Sequence, residues 1–500
     1  MRNFLRKNLG DHYAWVCLFL CALMVWYTYW MIHIPMGKAP DETVRSILSI
    51  YIFRNGRLPN AWEESVRIYN WGFSYALRPM LANIIGAFFM WVASFFTGPW
   101  GMTCAVRLVS VFSGTILVLY CFKIGVILKW KESWRWAFAC LVGLMPQIAF
   151  LSSYNNNDIF SLMAVTMLLY YWIEGAQTDW SWKSSTKLAV ALGITLMSYY
   201  NAYSFVLLSV VFYFASRIHR KMTKVQKKDL WIKAGYITLI TFLLAGWWFI
   251  RNIVLYDGDV LGSTTRELMG EMYALDELKP SNILRLYREG VSYWQVPFYS
   301  NNPNGITWLE LSLKSTIGIL GNMDLYLPDW VYNTVYWFWG LGFSMFTISW
   351  IARAVKWKNY DEQKKQQLKK WLIFCLCALI ASIITIMLSI LYSWTDDYQP
   401  QGRYMIPAFS AVMLLIMCGW KEGLTYISEK LHVQKWLPAA ACTILCLFMG
   451  YLQYTSLFEM VIPEFKDIEK MPDWYFNLYF PDYQEARAQE QAQLQESSGS

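Results

Sequence analysis

The sequence predicts an all-α fold, a polytopic transmembrane helical bundle of roughly eleven spans with interfacial helices in its first outer loop. Three observations predict it. The 500 residues are 56% hydrophobic and only 16% charged, too little charge to solvate a water-soluble surface of this size. Twenty-eight Trp and 33 Tyr suit the headgroup level of a bilayer, where amphipathic rings settle. The apolar residues come in long runs, with the basic residues clustered between them.

The runs place spans at 12–34, 105–128, 136–153, 158–174, 187–200, 202–217, 231–250, 331–354, 371–394, 405–420 and 436–454. The first is too long for a cleaved signal sequence and no small-residue cleavage site follows it, so it reads as an uncleaved anchor. Orientation follows from the basic clusters. Arg2, Arg6 and Lys7 precede the first span, and Lys129, Lys131 and Arg135 follow the second. Lys183 and Lys187 precede the fifth, a run from Arg217 to Lys228 follows the sixth, and six lysines from Lys356 to Lys370 follow the eighth. The positive-inside rule puts all of these, and the N-terminus, in the cytoplasm of a plasma (inner) membrane protein. The stretch 79–97 is apolar, but a crossing there would carry Lys129, Lys131 and Arg135 outside; it is expected to lie along the outer interface or to dip in and return.

Two outer segments are long enough to hold structure of their own, about 35–104 and 251–330. With the spans they make one module over 1–455. Residues 456–500 form a short outer C-terminal segment whose polar tail, from about 484, is expected to be disordered. No internal repeat is present, which weakens a transporter built from inverted halves. The net charge of +8 sits in the cytoplasmic clusters, which argues against a nucleic-acid groove. Nine of the ten Cys lie in or beside apolar runs and the four His are scattered, so neither type offers a metal or disulfide framework.

The chemistry-bearing residues gather at the outer ends of spans. Asp41 and Glu42 follow Ala39-Pro40 directly after the first span. A carboxylate pair at a helix start can simply cap it, but one beside the bilayer can also be a general base whose pKa desolvation raises. Ser153-Tyr-Asn-Asn-Asn-Asp158 is a very short outer turn that brings Asp158 near them, or else makes it a cap. Arg78-Pro79, Gly246-Trp-Trp-Phe-Ile-Arg-Asn252 and Gln401-Gly-Arg-Tyr404 put Arg78, Arg251 and Arg403 at the same level. Arginine forks suit phosphate oxygens, although a single Arg at an interface more often snorkels. Mid-span charges are nearly absent, Lys123 and Arg251 lying close to span ends, which counts against a transport path.

An outer loop opening on Asp-Glu, a basic-Pro step before an interfacial segment and an acidic outer turn resemble the C-type glycosyltransferases. These multi-spanning enzymes, such as protein O-mannosyltransferases and lipid A aminoarabinose transferases, use polyprenyl-phosphate sugars. The resemblance is architectural over about 1–455 and specific in the short motifs quoted; Arg78-Pro79 stands where relatives often show Lys and two prolines. It implies transfer of a sugar from a polyprenyl-phosphate donor to an acceptor hydroxyl of a glycan, lipid or protein of the cell envelope, at the outer face, with inversion. It implies Asp41 as general base with Glu42 beside it and Asp158 orienting acceptor or sugar. Arg403 would stabilise the departing phosphate, with Arg78 and Arg251 as helpers, and Tyr404, Asn252 and Gln401 would contact substrate. Membrane lipids are the surrounding partner and nucleic acid is not one. The arginines favour a metal-free site without cofactor, a divalent cation held by Asp41, Glu42 and Asp158 being the alternative. The rival functions are a lipid-linked-glycan flippase or transporter, a glycan polymerase or ligase of another fold, and a non-catalytic scaffold or sensor.

Overall fold

Long apolar runs leave the backbone no partner but itself in a bilayer, and helices are what form. The computed structural model describes residues 2–218, 222–430 and 436–484. The expected disordered tail from about 484 therefore lies, after its first residue, outside the described residues, as does the middle of the basic run that follows Arg217.

The helices in chain order are α1 (Arg2–Leu9), α2 (Tyr13–His33), α3 (Glu42–Asn55), α4 (Leu81–Ala93), α5 (Pro99–Ile127), α6 (Glu132–Gly143) and α7 (Pro146–Leu151). Next come α8 (Asp158–Gln177), α9 (Trp182–Leu196), α10 (Tyr203–Arg217) and the composite α11 (Lys224–Leu255), which includes a π-helical turn at Phe242–Gly246. Then follow α12 (Ser263–Tyr273), α13 (Trp308–Gly318), α14 (Asp329–Val355), α15 (Glu362–Thr395) and α16 (Phe409–Lys430). The composite α17 (Trp436–Phe465) and α18 (Asp473–Tyr479) complete the set. The strands of the described residues form one small ribbon, Ile319–Leu320 antiparallel to Leu325–Tyr326.

Eight of these helices are long and apolar enough to cross a membrane: α2, α5, α8, α11, α14, α15, α16 (counted from Ile406) and α17. The protein is a multi-pass helical membrane protein. Three expected crossings are shorter. The stretch 136–153 is broken where Met145 turns extended ahead of Pro146, because a proline disfavours helix at the residue before it. The other two are α9 and α10, of 15 residues each. The apolar segment at 79–97 becomes α4, whose 13 residues rise only about 20 Å, short of a hydrocarbon core.

Burial sorts the bundle. In α8, 83% of the apolar window is enclosed and in α5 72%, whereas in α14 it is 17% and in α17 22%. Thus α5 and α8 form the axis and α14 and α17 meet lipid. Asp158 is the first residue of α8, Asp41 follows α2, and Arg403 follows α15, so the three groups arrive at one end of the bundle. The lysines of the α5–α6 and α14–α15 connections lie at the other end. The segment after α17 returns to the first group: Met36 N donates to Lys470 O at 2.9 Å, and Tyr475, Phe476 and Phe480 pack with Met36, Ile50, Met90 and Met102.

Candidate active site

Asp41 is the residue before α3 and adopts a left-handed backbone, φ 59° and ψ 5°, which is costly for a side chain other than glycine. Its carboxylate makes no capping hydrogen bond. It faces Arg403 Nη2 at 2.8 Å and Arg45 Nη2 at 3.7 Å. Burial works against its charge, but the Arg403 and Arg45 guanidiniums outweigh burial and hold the carboxyl at about 2. That reverses the expected upward shift: the ion pair wins over desolvation.

Glu42, its neighbour, goes elsewhere. It is fully buried and accepts two hydrogen bonds from Arg107 of α5, both at 2.7 Å, and a third from Asn155 N at 3.0 Å. Arg107 Nη1 also donates to Met31 O and Ile34 O at 2.8 and 2.7 Å, tying off the end of α2. Glu42 is therefore a structural brace, which corrects its expected place beside the base. Its three acceptor contacts leave no face toward the cavity.

The Asn-rich turn divides its labour. Asn155 Nδ2 donates to Ser46, and Asn156 Oδ1 accepts from the backbone N–H groups of Asp158 and Ile159 at 3.0 Å each. Asn156 thus does the capping, and neither carboxylate oxygen of the buried Asp158 has a hydrogen-bond partner. Asp158 lies within electrostatic reach of Arg45 and Arg403, and it does most among its neighbours to hold Arg45 charged against burial.

Arg403 is only 5% exposed and is set by its neighbours. Gly402 N donates to Ser315 Oγ of α13 at 2.6 Å, and a Cβ at 402 would run into Thr316 and Ser312 O. Only glycine allows that close approach. Arg403 then reaches Pro40 O at 3.4 Å and Tyr404 Oη at 3.2 Å, besides Asp41.

Two cavities meet here. One, of about 440 Å³, is lined by Asp41, Gln401, Arg403, Tyr404, Asp396 and Asp397 among others. The second, of about 420 Å³, has Leu77, Leu261, Leu388 and Leu391 in its wall together with Arg78 and Tyr199. Arg266, Tyr392, Asp396 and Tyr404 line both. Arg266 is ion-paired with Asp396. Arg78 meets the Tyr75 ring at 5.1 Å, and among the described residues no carboxylate pairs with it. Burial raises the Asp397 carboxyl above its usual range, with the Gln399 amide donating to it in opposition.

The structure thus brings Asp41, Asp158, Arg403, Tyr404 and Gln401 to one place, with Arg78 in the adjoining chamber. It does not bring Arg251 and Asn252 there, contrary to expectation. Arg251 donates to Pro59 O at 2.5 Å, and Asn252 Nδ2 donates to Leu77 O and Val260 O at 3.2 Å each. Both pin the segment between α3 and α4 to the end of α11. Sequence reasoning missed Arg45, Arg107, Arg266 and Asp396. Arg45 was findable, four residues after Asp41 on one helical face, and Arg107 is an ionisable residue within an apolar run. Among the described residues no group of three or more His, Cys, Asp or Glu converges to hold a metal ion, and Asp41 is faced by two guanidiniums.

No family model and no curated protein matches the sequence. Solved structures do. The oligosaccharyltransferase of Archaeoglobus fulgidus in complex with Zn and sulfate superimposes with a TM-score of 0.52 at 12% identity, covering 89% of this chain and 53% of that one. Its apo form gives 0.50 at 12% identity over 89% and 56%. The chain shares the fold of this oligosaccharyltransferase. The chain spans about half the length of that enzyme. ArnT from Cupriavidus metallidurans bound to undecaprenyl phosphate gives a TM-score of 0.48 at 12% identity over 93% and 75%.

Proposed function

We propose that the chain is a membrane glycosyltransferase that moves a sugar from a polyprenyl-phosphate donor to an acceptor hydroxyl, with inversion. The observation that carries this reading is the Asp41–Arg403 ion pair, standing where a polar cavity adjoins a leucine-walled one that contains an unpaired Arg78. A polyprenyl-phosphate sugar has that same division: an apolar tail, a phosphate and a hydroxylated ring. The basic clusters lie at the opposite end of the bundle, which supports an outer-face site in the plasma membrane with the N-terminus cytoplasmic.

In this reading the prenyl chain enters past Leu388 and Leu391, and its phosphate is met by Arg78 and Arg403. The sugar lies against Tyr404 and Gln401. The acceptor oxygen attacks the anomeric carbon as the bond from that carbon to the phosphate oxygen breaks. The electron pair stays on the phosphate, where fixed cations in a dry site stabilise it. The acceptor proton passes to Asp41.

A carboxyl held at about 2 is a poor base at neutral pH. Donor binding resolves this: a phosphate that draws Arg403 to itself releases Asp41 from its partner and lets its pKa rise. Asp158, with Arg45, then balances the charge behind it. The acceptor is a hydroxyl of a cell-envelope glycan, lipid or protein.

The test is purified protein in detergent, given undecaprenyl phosphate and then a panel of polyprenyl-phosphate sugars. Undecaprenyl phosphate should raise the unfolding temperature, and one glycosylated donor should release it when cell-envelope glycans, lipids or proteins are added as hydroxyl acceptors to take the sugar. A protein that is neither stabilised nor active on any member of the panel rules the reading out.

A further inference from the structure

The far end of the bundle holds another cavity, of about 550 Å³, where the C-terminal turns of α5 and α8 meet the first turns of α15. Its wall is apolar and aromatic: Ile173, Phe212 and Phe374, with Trp371 stacked on Phe374 at 4.9 Å and 11°. Two lysines, Lys129 and Lys370, also line it. Two other lysines at this end are neutralised, Lys187 by Glu174 at 2.7 Å and Lys365 by Glu362 at 2.9 Å. Among the described residues Lys129 and Lys370 have no carboxylate partner. The contact of Lys370 is with Ala176 O, at 3.3 Å, at the carbonyl end of α8.

Lys129 is held at this cavity by an unfavourable backbone. It closes α5 in a Schellman turn, with Lys129 N donating to Val126 O and Trp130 N to Gly125 O, both at 2.9 Å. Its φ of 54° belongs to the position where glycine is the unstrained residue. A lysine there carries a backbone cost that glycine would not; its ammonium group favours the carbonyl end of the helix and also lines the cavity.

We infer that this cavity binds an anionic glycerophospholipid of the leaflet at the basic end of the bundle. Its phosphate is met by Lys129 and Lys370, and its glycerol and upper acyl carbons lie against Trp371, Phe374 and Phe212. The chemistry selects this occupant. Uncompensated ammonium groups favour a net negative headgroup over a zwitterion that brings its own cation. The aromatic wall favours an acyl chain over a soluble anion. The inference does not depend on the sugar-transfer reading, since its site lies at the other end of the helices and its test needs no turnover.

The experiment uses the delipidated full chain in detergent, titrated with phosphatidylglycerol or phosphatidylcholine of identical acyl chains and read by native mass spectrometry. Phosphatidylglycerol should bind as one retained copy at least fivefold more tightly than phosphatidylcholine. Lys129→Gly should leave the lipid-free unfolding temperature unchanged or higher, because the strain is relieved, yet lower the phosphatidylglycerol affinity at least fivefold. Lys370→Gln should lower it similarly, whereas Lys358→Gln, the same charge change at an exposed lysine outside the cavity, should not. If Lys129→Gly does not fold, Lys370→Gln and Lys358→Gln decide the matter. Equal affinity for the two lipids, wild-type binding by the Lys370 variant, or an equal loss in the Lys358 variant overturns the assignment.

Discussion

Asp41 and Glu42 are adjacent in the chain, yet one carboxylate is paired with Arg403 in the wall of a cavity and the other is locked against Arg107 inside the bundle. The turn into α3 divides them. With its backbone left-handed, Asp41 stays outside the helix and looks into the cavity, while Glu42 begins the helix and looks toward α5. Two chemically equal residues should therefore fail in different ways when altered.

Asp41→Asn keeps the size of the side chain and removes its ability to take a proton. The chemical step should fall by about a hundredfold or more, measured in single turnover, while donor binding persists. Since Asp41 makes no capping bond, a wild-type rate in this variant would leave it with neither role.

Glu42→Gln should instead act on stability. It removes half of a buried pair and leaves Arg107 uncompensated, a change that costs about 3–5 kcal/mol in comparable settings. The expected result is a clear drop in thermal unfolding temperature, larger than that of Asp41→Asn, with residual activity per folded molecule retained.

The pH profile should separate free from donor-bound protein. The Asp41 carboxyl is depressed to about 2, below its unfolded value, so it contributes stability that is present above the unfolded pKa and lost as pH falls through the folded one. If the donor phosphate draws Arg403 away, the acid limb of kcat should lie at higher pH than that of kcat/KM. Superimposed acid limbs would show that Arg403 stays on Asp41 throughout.

Arg403→Lys preserves charge and loses the fork, so turnover should fall about a hundredfold with folding intact. Arg403→Ala should fall further and should also raise the Asp41 pKa, leaving Arg45 and, more weakly, Arg78 to oppose burial. Near-wild-type transfer by the alanine variant would remove Arg403 from the mechanism.

Orientation is checked by thiol labelling. A cysteine at Tyr69, which is 82% exposed at the cavity end, should react in intact cells with an impermeant reagent, and one at Lys364 should not. The reverse pattern would place the cavity in the cytoplasm.

The fold class was legible because a bilayer demands long apolar runs, and these are visible without knowing their packing. The placement of Asp41, Asp158 and Arg403 at one end was legible for the same reason: each ends or begins a span. What the sequence could not separate was Asp41 from Glu42, or Arg403 from Arg251, since the difference lies in a backbone angle at one residue and in which carbonyls a long side chain happens to reach. Arg107 escaped notice because its neighbours are apolar and its partner is 65 residues away. The short helices were harder too, since α9 and α10 read as spans by composition although each has only 15 residues.

The return of α18 onto α3 has a practical meaning for anyone handling the gene. The helix that begins at Glu42 is sandwiched between α4 and the Tyr475–Phe480 patch, so the chain's later residues buttress the wall of the cavity from behind. Shortening the protein after α17 would strip that buttress while leaving every cavity-lining side chain in place. Such a shortened chain should still insert, and should be judged by the rigidity of the segment between α2 and α4 before any loss of turnover is blamed on missing chemistry.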